Sequence, residues 1–220
     1  VSSNTHALVN LLGGSILRAR KNVEEFIVAS GDPELAAEYN KLRRGEVRSS
    51  MENMLYYASR RFYGETEKGR ELLKRRPQEE RERGIHYIPS REGMPIDVQV
   101  IELARLNPEE FDPRIKAEGN ERLSKSPAII INIDYPLGLA AYYIFVQVSE
   151  SLENIRGVYV LGKAATLNGR IGDVMISDVV YDEHSGNTYW FENAFSYADL
   201  APYLEYGAAL DNQKAVTVKG

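Results

Sequence analysis

Cysteine is absent from the 220 residues, which removes disulfides, thiolate metal sites and a cysteine nucleophile together. Histidine is almost as scarce. His6, His86 and His184 share no ligand spacing, so no metal site is expected, and nothing in the composition requires a cofactor. No apolar run approaches the roughly 18 residues that a membrane span requires. The run at residues 11–17 is too short and too glycine-rich to be the core of a signal peptide, so the expectation is a cytoplasmic protein without a membrane partner. A G-x-S-x-G elbow, a P-loop and an H-E-x-x-H pair are also missing, which takes away the marks of three large enzyme groups.

Charge is plentiful but unevenly spread. Hydrophobic residues make up 43% and charged residues 27%, the balance of a globular protein able to bury a core. The net charge of −5 conceals an asymmetry: residues 1–126 carry 22 Lys/Arg against 21 Asp/Glu, and residues 127–220 carry 5 against 11. Dense, interleaved charge of both signs describes salt-bridged helix surfaces, so no nucleic-acid partner is expected. Two regions follow, a mostly helical one at 1–126 and an α/β domain at 127–220.

In the first region Leu8, Leu12, Ile16, Ala19, Val23 and Ile27 recur at helical spacing and predict one long amphipathic helix ending near Gly31. Asp32-Pro33 starts a short helix with Leu35, Ala36 and Tyr39 on its apolar side. Met51, Met54, Leu55, Ala58 and Phe62 mark another, followed by residues 65–76, and the run Lys74-Arg75-Arg76-Pro77 reads as a solvated helix end and linker. Ile96, Val100, Ile101 and Ala104 suggest a further helix. Residues 107–126, polar and holding Pro108, Pro113 and Gly119, read as a linker or an ordered surface crossing.

At Pro127 the texture changes. Ala128-Ile129-Ile130-Ile131-Asn132-Ile133 predicts a strand buried on both faces, residues 139–148 an apolar helix, and Gly157-Val158-Tyr159-Val160-Leu161 a second buried strand, which together form a parallel strand, helix, strand unit. A third strand or strand pair covers 173–176 and 179–181, and Asp182-Glu183-His184-Ser185-Gly186-Asn187 reads as a solvated turn. Residues 188–191 return antiparallel, and Ser196 caps a short helix through Leu204. Residues 214–219 form a last strand, and its lack of a covering helix leads us to expect further chain beyond Gly220. Tyr189, Trp190, Phe191, Phe195 and Tyr197 suit core packing, a lid or a subunit contact.

Parallel sheets bind ligands where strands end and backbone amides converge. Two loops qualify. Asp134, Tyr135 and Gly138 lie after the first strand, and Gly162, Lys163, Ala164, Ala165 and Thr166 after the second, where small residues allow a ligand to approach the main chain. Small residues after a strand serve equally well as a tight packing corner.

The order of these pieces, with Gly162, Leu167 and the run Ile171-Gly172-Asp173-Val174-Met175-Ile176, resembles the purine nucleoside phosphorylase and nucleosidase superfamily over residues 127–220. The resemblance implies an α/β fold with a nucleoside phosphorylase-like mixed sheet and flanking helices, preceded by the mostly helical region. It implies N-glycosidic cleavage of a small-molecule nucleoside or nucleotide by a homo-oligomer. The loop at 162–167 would run along the ribose and base, and Asp134, Tyr135 and Gly138 would lie toward the phosphate or 5′ side. Lys163 would grip a nucleotide phosphate or stay solvated; Tyr135 would stack on a base or cover the sheet edge. Asp173 is a structural strand-start residue in that family. Val160 stands where family phosphorylases commonly place a phosphate-binding arginine, and Ala165-Thr166 replaces a glycine pair, so hydrolysis is favoured over phosphorolysis. The alternative is a catalytically degenerate nucleotide-binding or assembly module of the same fold. The family's decisive residues lie beyond the last strand, and no catalytic residue is assigned.

Overall fold

The computed structural model describes residues 1–92, 96–136, 138–162, 165–166, 168–204 and 207–217. The chain combines helices with two small sheets and divides into two compact units, Val1–Asn40 with Met51–Lys163, and Lys41–Ser50 with Ala164–Gly220.

The first unit opens with helices α1 (Thr5–Gly13), α2 (Ser15–Arg18) and α3 (Arg20–Ala29). The side chain of Asn4 caps α1, accepting from the backbone N–H of His6 at 3.1 Å and of Ala7 at 2.8 Å. One continuous helix was expected here, and Gly14 prevents it. Its φ is +61° and a Cβ would stand 2.6 Å from the Glu110 carbonyl oxygen, so the chain turns in a left-handed conformation that only glycine fits at that distance. The apolar stripe survives the break: Ile16, Ala19, Val23 and Ile27 are buried.

Helices α4 (Pro33–Arg43), α5 (Met51–Glu65) and α6 (Glu67–Glu82) follow. Asp32 caps α4 through the N–H groups of Glu34 and Leu35, and Thr66 caps α6 through Gly69. Met54, Leu55, Ala58 and Phe62 of α5 are buried as their spacing predicts, with Phe62 edge-on to Phe26 at 6.0 Å. Pro77, expected to close a helix, lies inside α6. Ion pairs one turn apart, Arg75 with Glu71 and Arg76 with Glu80, brace both sides of the missing backbone donor.

Strands β1 (Ile85–Ile88), β2 (Val98–Glu102) and β3 (Ile129–Ile133) form an antiparallel sheet in the order β1-β2-β3. Here the helix expected around Val100 and Ile101 is instead β2. Gln99 and Ile101 are buried while their neighbours are less so, the period-2 pattern of a strand. The expectation for β3 also needs correcting. It pairs antiparallel with β2, and its fully buried residue is Asn132, not an isoleucine. Asn132 accepts from the Ser3 hydroxyl at 2.8 Å and donates to Gln99 Oε1 at 3.1 Å, so this buried amide is satisfied.

Residues 1–3 run parallel to β3 on its free side. Ile133 N–H donates to Val1 O at 2.9 Å, and the Ser3 N–H to Ile133 O at 3.2 Å. On the far side of the same segment, Ser2 N–H donates to Tyr159 O at 2.8 Å and the Leu161 N–H to Ser2 O at 2.9 Å. The expected second buried strand at 157–161 is thus an exposed extended segment joined to the sheet by a single bridge at Val160. Helix α7 (Gly138–Ser151) connects β3 to it.

Residues 103–126 form short 3-10 turns, capped at Asn107 and Asp112. They are more than a linker: Leu106 and Phe111 join Val9, Ile85 and Ile101 in a buried cluster. Asp112, fully buried, accepts from the Tyr56 hydroxyl at 2.6 Å and from Arg114 Nε at 2.8 Å. Burial pushes its carboxyl up, and the bonds from Arg114 and Tyr56 outweigh that and hold it below the usual carboxylate range.

In the second unit β4 (Val174–Asp182) pairs antiparallel with β5 (Asn187–Trp190) and parallel with β6 (Ala209–Thr217), giving the order β5-β4-β6. Of the two expectations for 173–176 and 179–181, one strand or a strand pair, the structure has the single strand. The solvated turn at 182–187 and the short helix after Ser196, α8 (Tyr197–Leu200), match the reading of the sequence. Buried apolar residues here are Ile176, Val179 and Ala209.

Candidate functional site

The turn after β3 carries three of the expected site residues. Asp134 N–H donates to Asp97 O at 3.0 Å, continuing the β2–β3 pairing by one residue. Tyr135 has φ +39°, a left-handed backbone that few side chains adopt, and it stands directly before Pro136, which disfavours helical conformations in the preceding residue. Gly138 opens α7. Beneath the turn the Tyr87 hydroxyl donates to Asp97, whose other oxygen accepts from Ser90 N–H at 2.7 Å. Burial first, and the Asp97 bond second, push the Tyr87 phenol up to about 12. The turn is therefore a braced corner.

The second loop is only partly described. Lys163 and Ala164 lie outside the described residues. Gly162 and Ala165 are exposed. Thr166 closes a turn: its hydroxyl donates to Asn168 Oδ1 at 2.9 Å and accepts from Gly169 N–H at 3.1 Å, and Asn168 Nδ2 reaches Gln213 Oε1 of β6 at 3.1 Å. Asp134, Tyr135 and Gly138 share one corner in the first unit, with Gly162 later in that unit, while Ala165 and Thr166 belong to the second unit.

The Gly172-Asp173-Val174 motif has a structural job. The Asp173 carboxylate accepts from Arg170 N–H at 2.7 Å and Ala208 N–H at 2.8 Å, and these bonds hold it below the usual range. Val174 N–H donates to Ala208 O at 2.9 Å, so the clamp sets the parallel start of β4 against β6. Gly207, φ +73°, fits where a Cβ would come 2.3 Å from Gly172 O.

A further concavity within the first unit lies elsewhere. A cleft of about 1150 Å³ runs between β3, α7 and the exposed segment 151–160. Its walls are mostly apolar: Ile129, Ile131 and Ile133 from β3, and Ile144, Phe145 and Val148 from α7. Pro136 brings the predicted corner to its rim, and Asp134, Tyr135, Gly138 and Gly162 do not line it. Its polar side chains are those of Ser2, Ser126, Ser151, Glu153, Asn154 and Arg156, with Tyr159 as an aromatic wall. Arg156 is exposed and makes no ion pair among the described residues. Such a mix, mostly apolar with a few polar groups at the edge, is the usual chemistry of a small-molecule site.

Reading the sequence for loops missed this cleft, though the signal was present. The run from Leu139 to Val148 contains no charged residue. A helix without a polar side leaves apolar surface on whichever side the sheet does not cover. Among the described residues no group of three or more His, Asp or Glu is placed to hold a metal ion, and no helix is long and apolar enough to cross a membrane.

No curated protein and no solved structure matches the chain. One family model does, over residues 1–220, so the chain belongs to DUF6909, a family of unknown function.

Proposed function

We propose that the chain is a ligand-binding module for a nucleoside or nucleotide, related in fold to the nucleoside phosphorylases and lacking their catalysis. The observation that carries this is the cleft of about 1150 Å³. Its isoleucine and phenylalanine walls suit the flat faces of a base, Tyr159 offers a stacking partner, and the hydroxyls of Ser2 and Ser126 with the Arg156 guanidinium offer bonds to a sugar or phosphate. Its ionisable side chains are Glu153, Arg156 and Tyr159. That set supplies a cation for binding and no pair of carboxylates for proton transfer to a leaving base.

A second reading keeps the activity: N-glycosidic cleavage, hydrolytic in preference to phosphorolytic, by a homo-oligomeric nucleoside phosphorylase-like domain. Its support is the Asp173 clamp, since the resemblance gives that aspartate the same strand-start role. Lys163 and the loop at 162–167 would then face the sugar.

Calorimetric titration with a panel of nucleosides and 5′-nucleotides, alongside an assay for free base with and without phosphate, separates the two. The proposal expects saturable binding, weakened about tenfold by Arg156→Ala for the 5′-phosphorylated ligands, and no free base. Release of base would move the assignment to the enzyme, and absence of binding by every ligand would end both readings.

A further inference from the structure

Helix α7 is apolar on two sides. One side, with Ile144, Phe145 and Val148, faces the cleft. At 100° per residue Leu139, Tyr142, Tyr143 and Val146 fall on the opposite side. Leu139, Tyr142 and Tyr143 are 67%, 61% and 58% exposed, and the two tyrosine rings meet edge-on at 5.6 Å. No residue of α7 is buried, although its composition is that of a helix enclosed by protein.

We propose that a second copy of the chain packs antiparallel across this outer face, α7 against α7, about a two-fold axis near Tyr143. Two observations select a second copy. A two-fold contact brings residues at its axis against their own equivalents, so charge there would repel itself; between Leu139 and Ser149 the helix has no charge at all. The charge that ends the same stripe is complementary. Glu150 lies at the C-terminal end, and the first turn holds no acidic residue, so antiparallel packing sets each Glu150 beside the positive N-terminal end of the opposing helix. A basic partner would meet only Glu150, and an acidic one would meet no cation.

The apolar surface of this outer face is supplied by Leu139, Tyr142 and Tyr143, whereas Phe145, Leu152, Ile155, Val158, Tyr159 and Val160 line the cleft on the other side of the helix. Gly138 and Ala140 at the start of the helix allow close approach.

Sedimentation equilibrium of the 220-residue chain tests this, run from 1 to 100 µM. A mass twice the 24.8 kDa of one chain is expected. Tyr143→Glu and Tyr143→Lys, each at an exposed position, should each weaken association at least about a hundredfold by setting like charges together, with an unchanged circular dichroism spectrum. An equimolar mixture of the two should recover the doubled mass. A single-chain mass for the unaltered protein throughout, a dimer that survives Tyr143→Glu, or a mixture that stays monomeric would each overturn the arrangement. So would a single-chain mass accompanied by co-sedimentation with phosphatidylcholine vesicles, which would give the face to lipid. Nucleotide binding by the monomeric variants reports on the cleft separately, because Tyr143 does not line it.

Discussion

Residues 1–126 and residues 127–217 solve the same problem differently. Among the described residues, Val28, Tyr57, Leu73, Tyr87 and Ile88 are the exposed large hydrophobics of the first region and 20 belong to the second; conversely, of the described buried apolar residues only Ile176, Val179 and Ala209 come from the second. The cause is visible in the helices. Helix α5 puts Leu55, Ala58 and Phe62 inward and Arg61 and Glu65 outward, so it is complete once one face is covered. Helix α7 has no outward set. The first region thus encloses its apolar residues in a core, and the second leaves much of its apolar surface exposed.

Substitutions that sharpen this contrast should differ most in stability. Leu55→Ala, at a fully buried position, should cost about 3 kcal/mol in urea unfolding. Val216→Ala, at a residue 58% exposed, should stay within about 0.5 kcal/mol. Equal costs would erase the distinction between the regions.

Asp112→Ala comes next. It removes the buried acceptor that the Tyr56 hydroxyl and Arg114 share, leaving Tyr56 with Asn10 O and Arg114 with Asn53 Oδ1, and a loss of about 2–3 kcal/mol is expected at pH 7. The sign with pH is fixed by the depressed carboxyl. Its stabilisation is fully present above the unfolded-state value and fades as pH falls through the lower folded value. The cost of Asp112→Ala should therefore shrink in acid, which unfolding curves at pH 7 and pH 3 would reveal; a cost independent of pH would contradict it.

Gly14→Ala should cost about 2 kcal/mol through the left-handed backbone and the close Glu110 carbonyl. Thermal unfolding measures it, and a neutral outcome would mean the break between α1 and α2 is not enforced there. The smallest effect is expected in the second unit. Hydroxyl bonds from Ser185 and Thr217 hold the half-buried Asp182 carboxyl at about 2. Thr217→Val should raise it toward the ordinary value, as carbon-detected NMR titration would show, with little change in stability; an unmoved titration would remove Thr217 as a cause.

The helical stripes were legible because 3.6-residue periodicity survives local breaks, as Ile16, Ala19, Val23 and Ile27 show on both sides of the α2–α3 junction. Strand β2 was not, since Val100 and Ile101 also fit a helical spacing with Ile96 and Ala104, and only pairing with β1 and β3 decides between them. Pairing across residue 127 was equally hidden: nothing in the isoleucine run names β2 as its neighbour or places Ser3 against Asn132. Of the candidate site, the corner at Asp134, Tyr135 and Gly138 was readable from its turn residues. The cleft beside it was not, because its walls come from β3, α7 and residues 151–160, which carry no motif.

Hydrogen exchange over residues 138–161, followed by mass spectrometry at 1 and 100 µM, tests the central claim most directly. Slower exchange of the α7 amides at the higher concentration, lost in Tyr143→Glu, is the predicted result. Exchange that is fast and independent of concentration would show that no second copy covers this helix.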